Sequence, residues 1–136
     1  GMDVQDFLAI PMRAASIADA IHLLARVRNA ATEVARERNL PTLLADEGGL
    51  SPGLESGRAA LQMMVEAIGH AGLKPGVDIA IAIDVAASTL QAPDGRYRFA
   101  REGVERNGAE TIASATTSCS SPRSGHPRTA RWSCSA

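Results

Sequence analysis

The sequence predicts an α/β fold, an incomplete (β/α) barrel holding only its first strands and helices, with a disordered C-terminal tail. Three observations carry this reading. Short apolar runs alternate with two long amphipathic stretches, the strand–helix order of α/β proteins. The run from Ile79 to Val85 alternates strictly, with Ile79, Ile81, Ile83 and Val85 on one face and Ala80, Ala82 and Asp84 on the other. Beyond Asn107 the chain is rich in Ser, Thr, Arg, Pro and Gly and loses all periodicity. Residues 1–106 therefore read as the folded domain and 107–136 as the tail.

Taken in order, Val4 to Ile10 is short, apolar and closed by Pro11, which predicts a strand. Its polar residues Gln5 and Asp6 fall on opposite faces. Ser16 with Asp19 three residues on marks a helix start. Ile17, Ile21, Leu24, Val27, Ala31 and Val34 give that helix one apolar stripe. Arg26, Arg28, Glu33, Arg36, Glu37 and Arg38 take the solvated faces, and the helix stops near Asn39, ahead of Pro41.

Thr42 to Ala45 predicts a second strand, ending on Asp46 and Glu47 and followed by a loop with Gly48, Gly49, Pro52 and Gly53. Ser56 caps a second helix with the stripe Leu61, Met64, Val65 and Ile68 and a stop at Gly72. Met63 and Met64 are core filler in this reading. Lys74-Pro75-Gly76 turns the chain into the Ile79–Val85 strand. An antiparallel sheet with one wet face would be polar along that face. The narrow alanine face here suits the crowded inside of a barrel, with the branched face under helices and Asp84 at the mouth. The lesser alternative is that Asp84 caps the turn Ala86-Ala87-Ser88. Asp94-Gly95 reads as a hairpin turn, with a short strand at Tyr97 and Phe99.

Composition narrows the function. The chain has 136 residues, one domain's worth, and 45% of them are apolar, enough for a core. Only 3% are aromatic, so the core is aliphatic. A net charge of -1 gives nucleic acid or an anionic membrane no reason to bind. No apolar run spans a bilayer, and no basic segment followed by an apolar one marks a secretory signal, so the expected location is cytoplasmic. Gly1 ahead of Met2 fits a cloning residue or a piece cut from a longer chain. Cys119 and Cys134 make no disulfide framework, and whether they pair stays open. No Cys/His spacing fits zinc, and His22, His70 and His126 receive no role.

The stretch Ala45-Asp46-Glu47-Gly48-Gly49-Leu50-Ser51-Pro52 sets two carboxylates before two glycines. Alone it reads equally well as a solvated turn. Joined with Val4-Gln5-Asp6-Phe7, with Ala67-Ile68-Gly69-His70-Ala71-Gly72-Leu73-Lys74-Pro75-Gly76 and with Asp78 to Ser88, it resembles the enolase (phosphopyruvate hydratase) family from Gly1 to about Gly103. The resemblance implies a modified (β/α)8 barrel that interconverts 2-phosphoglycerate and phosphoenolpyruvate with magnesium, in glycolysis. It implies Glu47 as the acid/base that assists departure of the hydroxyl, Asp84 as one of three magnesium carboxylates, and Gln5 and Asp6 at the substrate. Magnesium takes hard oxygen ligands, and metal charge stabilises the anion formed on proton abstraction. It also implies a homo-oligomer.

Two departures limit the expectation. The family usually has Glu where this chain has Asp6, which withdraws the carboxylate by about 1.5 Å. Counterparts of the other two metal carboxylates, of the base lysine and its companion, and of the capping domain are missing. The chain alone is therefore expected to be inactive. The alternative is a non-catalytic remnant of a truncated or frame-shifted gene, acting at most as an interaction fragment. About three parallel strands cannot close a barrel, so exposed strand edges are expected to drive association.

Overall fold

The structure, a computed structural model, describes residues 3–112. The elements run β1 (Asp6–Pro11), α1 (Ile17–Glu37), β2 (Leu43–Leu44), β3 (Leu50–Ser51), α2 (Gly57–His70), β4 (Ile79–Asp84), α3 (Ala87–Leu90), β5 (Tyr97–Phe99) and β6 (Val104–Arg106). Cys119, Cys134, His126, Trp132 and nearly all of the expected tail lie outside the described residues. Within them, residues 108–112 are a helical turn. The Asn107 side chain accepts from the Glu110 N–H, and the Glu110 carboxylate accepts from the Asn107 N–H, a capping box at the expected domain boundary.

Both long helices begin and end as their sequences dictate. The Ser16 hydroxyl accepts the Asp19 N–H at 3.1 Å, and the Ser56 hydroxyl accepts the Ala59 N–H at 3.2 Å. At the far end of α1, Asn39 is left-handed (φ 55°), with Leu40 N–H bonded to Ala35 C=O and Asn39 N–H to Arg36 C=O. At the end of α2, Gly72 (φ 72°) does the same, with Leu73 bonded to Ile68 and Gly72 to Gly69. Each is a Schellman stop, which satisfies the last carbonyls without tertiary help.

The sheet differs from the expected parallel set. β1 pairs with β4 antiparallel, in the register Asp6↔Asp84, Leu8↔Ala82 and Ile10↔Ala80 on one face, Phe7↔Ile83, Ala9↔Ile81 and Pro11↔Ile79 on the other. The cause is the segment expected to supply a strand between them. Leu43–Leu44 instead folds back on Leu50–Ser51 as a separate two-residue hairpin. The link from β1 to β4 thus crosses through two helices with no sheet strand between. One helix returns a chain to the end it started from, whereas two deliver it to the opposite end. No barrel is closed among the described residues; the sheets are two-stranded.

The core lies on the branched side of β4. Ile79 and Ile81 are fully buried against Val27 of α1 and Leu61 and Ile68 of α2, with Phe7 and Ala9 of β1 beside them. The helices meet through Ala30, Ala31 and Ala67, whose small side chains let the backbones come close. Arg38 and Glu66 pair across the same interface.

The expected stripe of α1 holds from Val27 to Val34 but fails at its start, where Ile17 and Ile21 are exposed. The 21 residues of α1 extend about 31 Å, whereas the six-residue strands beneath span about 20 Å. The first turns overhang the sheet. On α2, Met63 is buried and Val65 is exposed, so the buried stripe is Ala60, Leu61, Met63, Ala67 and Ile68.

The C-terminal hairpin β5–β6 is fastened to the start of the chain. The Asp3 carboxylate accepts the N–H groups of Arg101 and Glu102, and the Arg101 guanidinium donates to the Leu54 carbonyl at 3.2 Å. Phe99 is buried, with the Arg106 guanidinium 4.5 Å above its ring. The Asp94-Gly95 turn forms as expected: Gly95 N–H bonds to Ala92 C=O, and Ala92 N–H bonds to Arg96 C=O.

Candidate functional site

Antiparallel pairing puts the first residue of β1 beside the last of β4. Asp6 and Asp84 are register partners, so their side chains leave the same face of the sheet at the same end. Just outside the strand, the Gln5 N–H donates to the Asp84 carbonyl at 3.1 Å and continues the ladder.

Glu47 arrives from the separate hairpin. Gly48 N–H bonds to Ala45 C=O and Ala45 N–H to Gly49 C=O, both at 2.9 Å, so Asp46, Glu47 and Gly48 form a three-residue loop. Gly48 takes φ 86°, a conformation that L side chains rarely adopt. At Gly49 a Cβ would stand 3.0 Å from the Glu47 Oε1, tight enough that the exposed Glu47 carboxylate would have to shift by a few tenths of an ångström. The two glycines thus differ: Gly48 bends the loop, and Gly49 lets the Glu47 carboxylate keep its present position.

Both neighbours act on Asp6. The Asp6 carboxyl is raised above its ordinary value, first by burial, then by repulsion from Glu47 and from Asp84. Among the described residues no ion pair involves any of the three. Glu47 and Asp84 are exposed, and Asp6 is half-buried. The structure therefore sets Asp6 beside Asp84, with Glu47 near enough to repel the Asp6 carboxylate. Gln5 stands apart: it joins through its backbone, its side chain is exposed, and strand alternation turns it from the Asp6 face.

Asp84 also fills the capping role its sequence allowed. Its Oδ1 accepts the Ala86 N–H at 2.9 Å and leaves Oδ2 uncommitted. Ala86 is itself left-handed, at φ 46°. A β-carbon there is strained by about 1–2 kcal/mol, a cost that the sequence did not announce.

Among the described residues, no group of three or more His, Cys, Asp or Glu side chains is placed to hold a metal ion. Magnesium demands near-octahedral oxygen coordination. The acids present do not make a complete site for it. The only lysine in the chain, Lys74, precedes the opposite end of β4, so that strand's length of about 20 Å separates it from Asp84. No helix among the described residues is long and apolar enough to cross a membrane.

Comparison with known proteins agrees with the motifs. Residues 1–119 match the family described as "Enolase, C-terminal TIM barrel domain". A curated protein named enolase, from Acidothermus cellulolyticus, is 45% identical over 111 residues. That alignment takes in 82% of this chain and 25% of the relative, so the chain spans about a quarter of the length of the curated protein it matches.

Proposed function

Because the chain belongs to the enolase C-terminal TIM-barrel family, we propose that it carries part of an enolase-type site and does not turn over substrate by itself. The observation that supports this reading is the register that sets Asp84 beside Asp6, with Glu47 near enough to add to the raised Asp6 carboxyl. Glu47, on an exposed loop tip with space kept by Gly49, is the acid/base that hands a proton to the departing hydroxyl of 2-phosphoglycerate. Asp84 offers its free Oδ2 as one carboxylate toward magnesium. Asp6 and Gln5 border the substrate. A cytoplasmic location, a place in glycolysis and self-association through open strand edges belong to the same proposal.

The missing chemistry explains the expected inactivity. The proton next to the substrate carboxylate needs a base, and Lys74 lies at the wrong end of β4. The described acids cannot complete a magnesium shell.

Two measurements test the reading. The full chain, given magnesium and 2-phosphoglycerate, should form no phosphoenolpyruvate above background; normal enolase turnover would reject the inactivity. Residues 3–112 should also be exchanged for the matching segment of the Acidothermus cellulolyticus relative. In an active chimera, Glu47→Gln should lower kcat by about 10²–10⁴-fold, the usual weight of general acid–base catalysis. A chimera indifferent to Glu47→Gln would remove Glu47 from the chemistry.

A further inference from the structure

Asn29, Asn39 and Asn107 are the asparagines of the chain, and all are exposed. What separates them is the peptide nitrogen that follows. An asparagine side-chain amide is attacked from within the chain when the next residue's nitrogen reaches its Cγ. Ala30 lies inside α1, where its N–H is taken by the helix ladder. The Leu40 N–H is bonded to the Ala35 C=O at 2.8 Å. Among the described residues no hydrogen bond takes the Gly108 N–H, and none holds the Asn107 Nδ2. Gly108 also has no β-carbon to crowd the approach.

The reacting groups are nevertheless held apart by the turn they begin. The Asn107 carbonyl accepts the Thr111 N–H at 3.0 Å and the Thr111 hydroxyl at 2.9 Å. That carbonyl and the Gly108 nitrogen belong to one planar peptide group, so neither turns without the other. The Asn107 Oδ1 accepts the Glu110 N–H at 2.9 Å, and the Asn107 N–H donates to the Glu110 carboxylate at 2.8 Å, which fixes Cγ as well. Attack needs the peptide plane to swing toward Cγ, so ring closure waits until the turn opens. This turn is short and lies at the end of the described residues, where opening costs little free energy.

We propose that Asn107–Gly108 is a self-modification site, whose conversion to aspartate and isoaspartate is gated by the capping box between Asn107 and Glu110. The Gly108 nitrogen bonds to the Asn107 Cγ, and the Cγ–Nδ2 bond breaks. Ammonia leaves with the proton that Gly108 gives up, and a five-membered succinimide remains. Water then adds its hydroxyl to one imide carbonyl carbon. The bond from that carbon to the Gly108 nitrogen breaks, and the nitrogen takes the other proton of the water. Opening at Cγ gives aspartate, which caps a helical turn as well as asparagine does. Opening at the backbone carbonyl carbon gives isoaspartate. The main chain then runs through Cβ and Cγ, and the oxygen that held Thr111 becomes part of a free carboxylate. The turn at 108–112 loses its cap. Neither step involves Asp6, Glu47 or Asp84.

The test incubates the full chain at neutral pH, folded and in urea. Peptides cut after arginine are then separated by chromatography and their masses measured. In the folded chain Asn107 should gain the mass of amide-to-acid exchange, with aspartyl and isoaspartyl forms eluting apart, while Asn29 and Asn39 stay intact. The urea rate at Asn107 should exceed the folded rate. Glu110→Ala should speed conversion in the folded chain about two- to tenfold, the weight of one capping contact, and leave the urea rate unchanged. Gly108→Ala, whose Cβ would meet the Tyr97 Cε2 at an ordinary 3.9 Å, should slow conversion at least about fivefold, since alanine favours the turn and crowds the nitrogen. Hydrogen exchange at the Glu110 and Thr111 N–H groups should be faster in the isoaspartyl form than in the aspartyl form.

Folded-state conversion no faster at Asn107 than at Asn29 and Asn39 would overturn the site. Equal rates with and without the Glu110 carboxylate, or equal rates folded and in urea, would overturn the gate. Equal exchange in the two products would show that isoaspartate leaves the turn intact, against the proposed loss of its cap.

Discussion

On one face of the β1–β4 pair, Ile79 and Ile81 of β4 are wholly buried under α1 and α2; on the other, Leu8 and Ile10 of β1 are 47% and 38% exposed, although Ala80, the register partner of Ile10, is buried. The difference is not one of composition, since both faces are aliphatic. It is one of coverage. The helices that cover the first face are contiguous with the strands in sequence, so the chain provides its own lid there. Over Leu8 and Ile10 the second face has no such lid, and among the described residues its acids form no ion pair. In a strand, alternation forces a choice between two sides, and here only one side has been given its packing partner.

The sharpest way to break the comparison is to make the same kind of cut on each face. Ile81→Ala should lower unfolding free energy by about 2–5 kcal/mol, the usual cost of truncating a buried aliphatic side chain. Leu8→Ala should cost less than about 1 kcal/mol, as expected of a surface site. Urea denaturation of the two variants checks this, and equal losses would mean that the exposed face is covered in solution.

A smaller effect sharpens the acidic end. The native Asp6 carboxyl holds its proton more tightly than the unfolded one, because its native value is raised by burial and by Glu47 and Asp84. Between the ordinary and the raised value the native state binds more protons, so stability falls as pH rises through that window. Above it, the full penalty persists. Asp6→Asn should therefore be more stable than the parent at neutral pH, and the advantage should shrink on acidification through the carboxylate range. Denaturation midpoints across that range test the sign; a pH-independent difference would show that Asp6 is not strained by its neighbours.

The smallest effect concerns Ala86. Replacement by glycine removes left-handed strain of about 1 kcal/mol but restores unfolded-chain freedom worth about 0.4–1 kcal/mol. A net gain of about 0.3 kcal/mol is expected in thermal melts. A loss beyond about 0.5 kcal/mol would mean that the methyl group packs usefully.

What the sequence revealed divides along the line between local and distant causes. The ends of α1 and α2 were legible because Ser16, Ser56, Asn39 and Gly72 act within one turn of themselves. The burial of Ile79, Ile81 and Ile83 was legible because alternation is a property of one strand. Strand direction was not, since it depends on how many elements lie between partners. Leu43–Leu44, apolar enough to pass for a sheet strand, closes a small hairpin instead. The exposure of Ile17 and Ile21 was hidden for a similar reason: the stripe is genuine, but its length exceeds the sheet it would lie on.

Of the candidate site, the resemblance named Glu47 and Asp84, and the fold added the register that sets Asp6 beside Asp84. The raised Asp6 carboxyl could not be read from spacing, because Asp6 and Asp84 are brought together by register across most of the domain. The strained Ala86 left no mark in the sequence, which has an ordinary alanine where geometry favours glycine.

The lone lysine has a practical corollary. Once the α-amino group is blocked, an amine-directed reagent has a single side chain to attack, in the turn where Lys74 N–H is held by the Asp78 carboxylate at 2.8 Å. A dye or tether placed there would sit a strand's length from Asp84 and leave the acidic rim chemically untouched. The molecule thus comes with a built-in reference point, from which the approach of anything settling on that rim can be gauged by energy transfer.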